Sequence, residues 1–336
     1  MAIARVEEFI NNLRPLTGLK DIKTLCNQEL DYLRQELSIK TRFSPQGYPI
    51  GSIGDARRLK TQVSAYRKAI KKLDTNLKNS YSKIINGENV RVHKALKFFN
   101  LADYEKKDVN TRDRARVSQD KTNRPSFDAV AVIDEAVNLL ESDSYVSKVI
   151  GLYLLTGRRH EEILITGKFE APFFDRDQDS MLNQWLKSEV DTALFSGQVK
   201  RKGNLDIAYN IPILAPLAVI QAATLWLRIN KPHKPDERPK GSKELGLKVR
   251  KVFQDRQLLP IPSGKDDYLN PHNLRSAYAA ICWQLYRHSD IALNCTEDIF
   301  VKAIMGHLEE STQSAQAYLD YELNYHQIEK LLNQYY

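Results

Sequence analysis

Apolar residues recur every three or four positions through most of this chain, which is the period of helices buried on one face. Val6, Ile10 and Leu13 set the pattern, and the stretch from Ile22 to Ile39 continues it. Leu59, Val63, Tyr66, Ile70 and Leu73 form the apolar face of a further helix, which Asp55 can cap. The other face of that helix carries Arg57, Arg58, Lys60, Arg67, Lys68, Lys71 and Lys72. A second basic helix is expected over Val90–Phe99. Gly, Pro and Ser between Phe43 and Gly54 predict a loop. From Glu105 to Arg124 the apolar residues thin out while Arg112, Arg114, Arg116, Lys121 and Arg124 accumulate. That change predicts an extended, charged interdomain linker.

The second half begins with a helix over Phe127–Glu141, capped by Ser126 and with Asp128 in its first turn. Another fills Tyr145–Leu155 and stops at Gly157. Three strand-like pieces follow, Phe169–Phe174, Ala193–Val199 and Ala208–Leu214. The last two are separated by Lys200-Arg201-Lys202-Gly203-Asn204, a hairpin turn. The apolar run Ile211–Ile229 is broken by Pro212, Pro216, Gln221 and Thr224, so it predicts a strand and a buried helix rather than a membrane span. Asn270 caps and Pro271 starts the next helix, and Thr296 caps one that ends at Gly306. Leu323, Ile328, Leu331 and Leu332 make a final helical stripe that packs in cis or docks on a neighbouring subunit. The expected fold class is mainly α with a small antiparallel β-sheet, an α+β chain. Its expected parts are a helical N-terminal domain over residues 1–104, a basic linker over 105–125 and a second domain over 126–336.

Composition narrows the partner. Of the 336 residues, 42% are apolar and 27% charged, which suits packed cores and excludes broad disorder. Lys and Arg total 50 against 42 Asp and Glu, a net charge of +8 that favours a polyanion such as nucleic acid or an anionic membrane surface. Cys26, Cys282 and Cys295 have no metal-ligand spacing and read as reduced thiols of a cytoplasmic protein. The first residues lack the apolar core of a signal peptide. No metal, cofactor or membrane partner is expected.

Scattered polar residues of the second half point to the chemistry. Attack on a phosphodiester builds negative charge on the non-bridging oxygens, and guanidinium groups meet it with rigidly paired N–H donors at any working pH. Arg159 and Arg275 are the candidates. Arg159 follows the helix break at Gly157, and Glu162 can return along the helix to hold it. Spacing does not exclude Arg158, and a plain surface ion pair is the alternative role for such a turn. His272 and Arg275 lie on one helical face and can reach one phosphate. His307 caps a helix end or donates to the phosphate. Lys200, with Arg201 and Lys202 as competitors, can protonate the leaving 5′ oxygen. Tyr318, with Tyr321 and Tyr325 as rivals, can attack phosphorus if a neighbour accepts its proton. A phosphotyrosine link stores the bond energy, so rejoining needs neither ATP nor metal. Together these residues describe an enzyme that cuts a DNA strand by joining itself to it. In that setting the basic helix and the linker arginines read as phosphate contacts rather than a solvated face.

The segment Thr156-Gly157-Arg158-Arg159-His160-Glu161-Glu162-Ile163 resembles the first arginine box of the tyrosine recombinase superfamily. His272-Asn273-Leu274-Arg275 resembles its His-x-Leu-Arg box. Met305-Gly306-His307, Ser311-Thr312 and Tyr318 resemble its terminal segment. Within the superfamily the chain is most similar to hairpin telomere resolvases (protelomerases), in Phe195-Ser196-Gly197-Gln198-Val199-Lys200, Tyr209-Asn210-Ile211-Pro212-Ile213-Leu214 and Leu274-Arg275-Ser276-Ala277-Tyr278-Ala279. The resemblance implies that Arg159, Lys200, Arg275 and His307 surround the phosphate and that Tyr318 is the nucleophile, forming a 3′-phosphotyrosine. His272 matches a position that varies among resolvases. It also implies a homodimer on double-stranded DNA at an inverted repeat, cutting both strands and sealing each as a covalently closed hairpin. The N-terminal domain and the tyrosine-recombinase-like catalytic domain would then form a clamp around DNA. The gap from His307 to Tyr318 exceeds that of ordinary integrases but is shared by some telomere resolvases. The short stretch after Tyr318 leaves no further DNA-binding domain to be expected there. The alternatives are a recombinase or integrase exchanging strands between two duplexes, and a catalytically silent DNA-binding protein.

Overall fold

Helical periodicity in the N-terminal part gathers Phe9, Leu13, Ile22, Cys26, Leu30, Leu59, Val63 and Ile70 into one apolar cluster. A separate cluster occupies the rest of the chain. The computed structural model describes residues 2–53, 56–85, 88–109, 123–174, 180–199, 207–233, 243–262, 267–292, 295–306 and 313–335. The chain divides into two compact units, residues 1–115 and 116–336.

In the first unit, α1 (Ala2–Leu13), α2 (Leu19–Glu36) and α3 (Ala56–Ile70) supply most of the core. Two antiparallel hairpins join them, β1 (Lys40–Phe43) with β2 (Pro49–Ile53) and β3 (Ser80–Ile85) with β4 (Glu88–His93). The expected loop after Phe43 is therefore the turn and second strand of a hairpin. A two-stranded ribbon leaves one edge of each strand unpaired, so Pro49 is tolerated there. The expected basic helix over Val90–Phe99 is strand β4 as far as His93, followed by the short α4 (Ala95–Phe98). The alternation of Val90, Arg91, Val92 and His93, a period of two, wins at that point.

Buried carboxylates organise this unit. Glu29 accepts Arg5 Nε and Nη2 at 3.0 and 2.9 Å and the Tyr66 hydroxyl at 2.6 Å. Glu105 is fully buried and accepts Arg34 Nε at 2.8 Å, so position 105 belongs to this core and does not begin an extended linker. Arg67 is also committed internally. Its Nη1 donates to the carbonyls of Leu96 and Phe99 and to Asn100 Oδ1 at 2.9, 2.8 and 2.6 Å, bracing α3 against the end of α4.

In the second unit, α5 (Ala129–Glu141) is capped by Asp128, whose carboxylate accepts from the Ala131 amide at 3.1 Å. Ser126 instead forms a parallel bridge with Glu322, which corrects the expected cap. The core is built on α6 (Tyr145–Thr156) and α10 (Pro271–Arg287), buried along almost their whole lengths. Asn270 and Asn273 close a reciprocal capping box at the start of α10, where Pro271 needs no donor. Around them lie α7 (Met181–Ser188), α8 (Leu217–Asn230), α9 (Lys243–Val249), α11 (Glu297–Ile304), α12 (Gln313–Gln316) and α13 (Tyr325–Tyr335). A three-stranded antiparallel sheet, β5 (Lys168–Glu170), β6 (Thr192–Ser196) and β7 (Tyr209–Pro212), is ordered β5-β6-β7. The C-terminal stripe packs in cis: Leu331 is fully buried, and Leu323, Ile328 and Leu332 join the same core. Arg124 is not a free phosphate strap, because its Nη1 meets both oxygens of Glu297 at 2.8 and 2.9 Å. Among the described residues no helix is long and apolar enough to cross a membrane.

Candidate active site

The site begins where α6 stops. Gly157 has φ +65°, and a Cβ there would come within 2.4 Å of the Tyr278 ring, so both the left-handed backbone and the close approach require glycine. The chain then re-enters a helix at Arg159, whose carbonyl accepts from Ile163 N at 2.9 Å. Glu162 turns back on that start. Its Oε2 accepts the Arg159 amide and its Oε1 accepts Arg159 Nη1, both at 2.9 Å. The same Oε1 accepts Val199 N at 3.3 Å, so one fully buried carboxylate holds both Arg159 and the backbone leading to Lys200. Burial pushes the Glu162 carboxyl up, but Arg159, Arg158 and Arg275 outweigh it and hold it below the usual range. Residues Glu162–Thr166 form a π-helical turn, a feature frequent at functional sites.

The two adjacent arginines have opposite fates. Arg158 is fully buried and spent on structure: Nε donates to the Thr156 carbonyl at 3.0 Å, Nη1 to the Tyr209 hydroxyl at 2.6 Å and Nη2 to the Ile304 carbonyl at 2.7 Å. The Tyr209 hydroxyl in turn donates to Gln198 Oε1 at 3.1 Å. Gln198 Nε2 donates to the carbonyls of Met305 and Gly306 at 3.2 and 3.1 Å. This polar chain ties the segment just after β6 to the turn at Met305 and Gly306. It explains Gly306, where φ is +72° and a Cβ would lie 2.1 Å from the Tyr209 hydroxyl. Sequence reasoning missed Gln198 and Tyr209 as individuals, although both lie in the resolvase-like pieces.

Helix α10 supplies the other side. Arg275 Nε donates to the Gly157 carbonyl at 2.7 Å, while its buried Nη2 has no hydrogen-bond partner among the described residues. Its guanidinium carbon lies 4.9 Å from the centroid of the Tyr318 ring. The His272 ring centroid is also 4.9 Å from that of Tyr318, and its Nε2 is 3.2 Å from the Ala317 carbonyl. Burial pulls the Arg275 pKa down, and Tyr318 opposes that without reversing it. For Arg159, burial also acts downward, but Glu162 and then Tyr318 outweigh it and the net shift is upward. Both arginines therefore sense the same phenol.

Of the rival tyrosines, Tyr321 is fully buried and its hydroxyl donates to the Pro260 carbonyl at 3.0 Å, whereas Tyr325 is 82% exposed. Tyr318 is the one packed on Arg275 and His272. A further neighbour had no sequence signal: the Tyr153 hydroxyl lies 2.9 Å from His160 Nδ1. Burial leads the forces that push Tyr153 up to about 12. Lys200, Arg201, Lys202, His307, Asp55 and the linker residues Arg112, Arg114, Arg116 and Lys121 lie outside the described residues. On α3, Arg57, Arg58, Lys60 and Lys68 are exposed, as is Lys71 in the turn just after it.

A tyrosine buried beneath one guanidinium, with a second held close by, defines a site suited to a phosphodiester. Residues 123–321 match the family of the telomere resolvase ResT/TelK catalytic domain, and the chain belongs to that family. It is a telomere resolvase, a DNA breaking-and-rejoining enzyme. Its fold is similar to that of selenomethionine protelomerase TelA covalently complexed with substrate DNA, with TM-score 0.72 and 19% identity over 98% of this chain and 91% of that one. An arginine-to-alanine variant of protelomerase TelA complexed with a DNA hairpin product gives TM-score 0.72 and 19% identity over 99% and 91%. No curated protein matches the chain by sequence.

Proposed function

We propose that this resolvase acts as a homodimer on double-stranded DNA at an inverted repeat, and that it cuts each strand by attack of Tyr318 on a phosphodiester. One observation carries the reading: among the described residues the buried Arg275 Nη2 has no hydrogen-bond partner, while its guanidinium lies over the Tyr318 ring. Leaving such a donor unsatisfied costs about 1–3 kcal/mol. A phosphate oxygen entering beside the phenol removes that cost.

In the first step the Tyr318 oxygen bonds to phosphorus and the bond from phosphorus to the 5′ oxygen breaks. The phenol gives up its proton to a neighbouring base, and Lys200 supplies one to the departing 5′ oxygen. Arg159, held by Glu162, and Arg275 meet the charge that grows on the non-bridging oxygens, with His307 and His272 completing the shell. The strand is left as a 3′-phosphotyrosine. In the second step the 5′ hydroxyl of the complementary strand attacks that phosphorus, the phenol leaves and regains its proton, and the end closes as a hairpin. The TelA complexes, one covalent and one with a hairpin product, support that order of events. The exposed cations Arg57, Arg58, Lys60, Lys68 and Lys71 take backbone phosphates.

The test uses a supercoiled plasmid carrying the inverted repeat taken from the ends of the source replicon. Linear products whose strands snap back after denaturation are the expected result. Four-way junctions, or strands cut without protein-linked ends, would overturn it.

A further inference from the structure

Helix α10 meets the nucleophile segment through an ordered set of contacts. His272 approaches the Ala317 carbonyl, Arg275 lies over the Tyr318 ring, and Ser276 Oγ donates to Asp320 Oδ2 at 2.7 Å. Positions 272, 275 and 276 share one helical face, and their partners advance in the same direction along the segment. The last contact is the most secluded. Ser276 is fully buried and Asp320 is 4% exposed.

We propose that Asp320 and Ser276 form a latch that sets the register of Tyr318 against Arg275, with Asp320 a positioning residue for strand cleavage. The inference rests on the reading of Tyr318 as nucleophile.

The segment has other anchors. Tyr321 Oη donates to the Pro260 carbonyl, Glu322 N donates to the Pro125 carbonyl at 3.2 Å, and Arg124 reaches the Tyr321 carbonyl at 3.4 Å. These hold the chain to the catalytic unit, but their partners lie outside α10 and do not set its register on that helix. The His272 contact is solvent-exposed and long for a hydrogen bond that must fix a backbone. A carboxylate accepting a hydroxyl proton away from water is a short, strong hydrogen bond. Because Ser276 adjoins Arg275 in the helix, and Asp320 follows Tyr318 with one residue between, this bond couples the clamp and the nucleophile through very little chain. An ångström of slippage at the attacking oxygen is enough to cost roughly 10²-fold in rate.

The experiment measures covalent adduct formation in a single turnover on a nicked suicide substrate at saturating DNA. Asp320→Ala and Ser276→Ala are expected to bind DNA with wild-type affinity and to form adduct on the order of 10²-fold more slowly. Asp320→Asn keeps an acceptor for Ser276 and is expected to stay near the wild-type rate. A substrate with sulfur at the bridging 5′ position needs no proton on its leaving group, so it should leave the alanine deficit undiminished. Adduct at the wild-type rate in Asp320→Ala overturns the proposal. So does an Asn variant as slow as Ala, or a sulfur substrate that erases the deficit. If Asp320→Ala fails to fold, Asp320→Asn and Ser276→Ala, which barely change volume, decide the matter in its place. A wild-type protein that forms no adduct through Tyr318 would instead sink the nucleophile reading, leaving the two failures distinguishable.

Discussion

Arg275 places its guanidinium carbon 4.9 Å from the centre of the Tyr318 ring, and the same guanidinium donates through Nε to the carbonyl of Gly157. One buried cation thus joins the helix break of the first arginine box to the tyrosine segment. Tyr318→Phe keeps the ring that packs on Arg275 and loses only the hydroxyl. It should bind DNA as the wild type does and form no covalent adduct on a nicked substrate. Tyr321→Phe and Tyr325→Phe should both retain the adduct, read on a denaturing gel.

Arg158 and Arg159 should separate cleanly. Arg158→Ala strips hydrogen bonds from the Thr156 and Ile304 carbonyls and the Tyr209 hydroxyl. The expected loss is roughly 3 kcal/mol or more of stability in urea unfolding. Arg159→Ala takes a counter-ion from the buried Glu162 and should also lose stability, but in the protein that stays folded it should cleave roughly 10²–10³-fold more slowly, as when one oxyanion donor is lost.

Gly157→Ala faces two penalties. The αL backbone costs a side chain about 1–2 kcal/mol, and the new methyl meets the Tyr278 ring at 2.4 Å. Thermal unfolding should show a lowered midpoint, and cleavage should fall with it because Arg159 and the Gly157 carbonyl move together.

Glu162 predicts an acid limb. Its folded pKa is held below the ordinary 4.5, chiefly by arginines acting against burial. A depressed folded pKa contributes stability that is fully present above the unfolded value and is lost as pH falls through the folded one. Acidification below about pH 4.5 should therefore destabilise the wild type more steeply than Glu162→Gln. At neutral pH the Gln variant should be the less stable. Urea titrations of both proteins across that range check the sign.

The exposed cations of α3 and the turn after it predict a salt signature. Replacing Lys60, Lys68 and Lys71 with alanine should weaken DNA binding irrespective of sequence. The slope of log affinity against log salt should fall by about 0.9 for each phosphate left without its cation. Arg67→Ala should act differently, lowering stability because its guanidinium holds the carbonyls of Leu96 and Phe99.

The helices of the second unit, the cap at Asn270 and the three-stranded sheet lie close to where periodicity and turn chemistry put them. The N-terminal hairpins were harder to read, because short ribbons carry only weak alternation and tolerate Gly and Pro. A cap two residues further along, Asp128 rather than Ser126, was decided by a strand bridge that local sequence does not encode.

Residue type and order were enough to name Arg159, Glu162, Arg275 and Tyr318 as candidates for one chemistry. Three-dimensional packing decided which of two neighbouring arginines faces the site and which is consumed inside, and which of three nearby tyrosines meets a guanidinium. It also paired Ser276 with Asp320 and Gln198 with the turn at Gly306. The physical reason is that charge and spacing are properties of the chain, whereas burial, and with it the partner each polar atom must find, exists only once distant segments close around it.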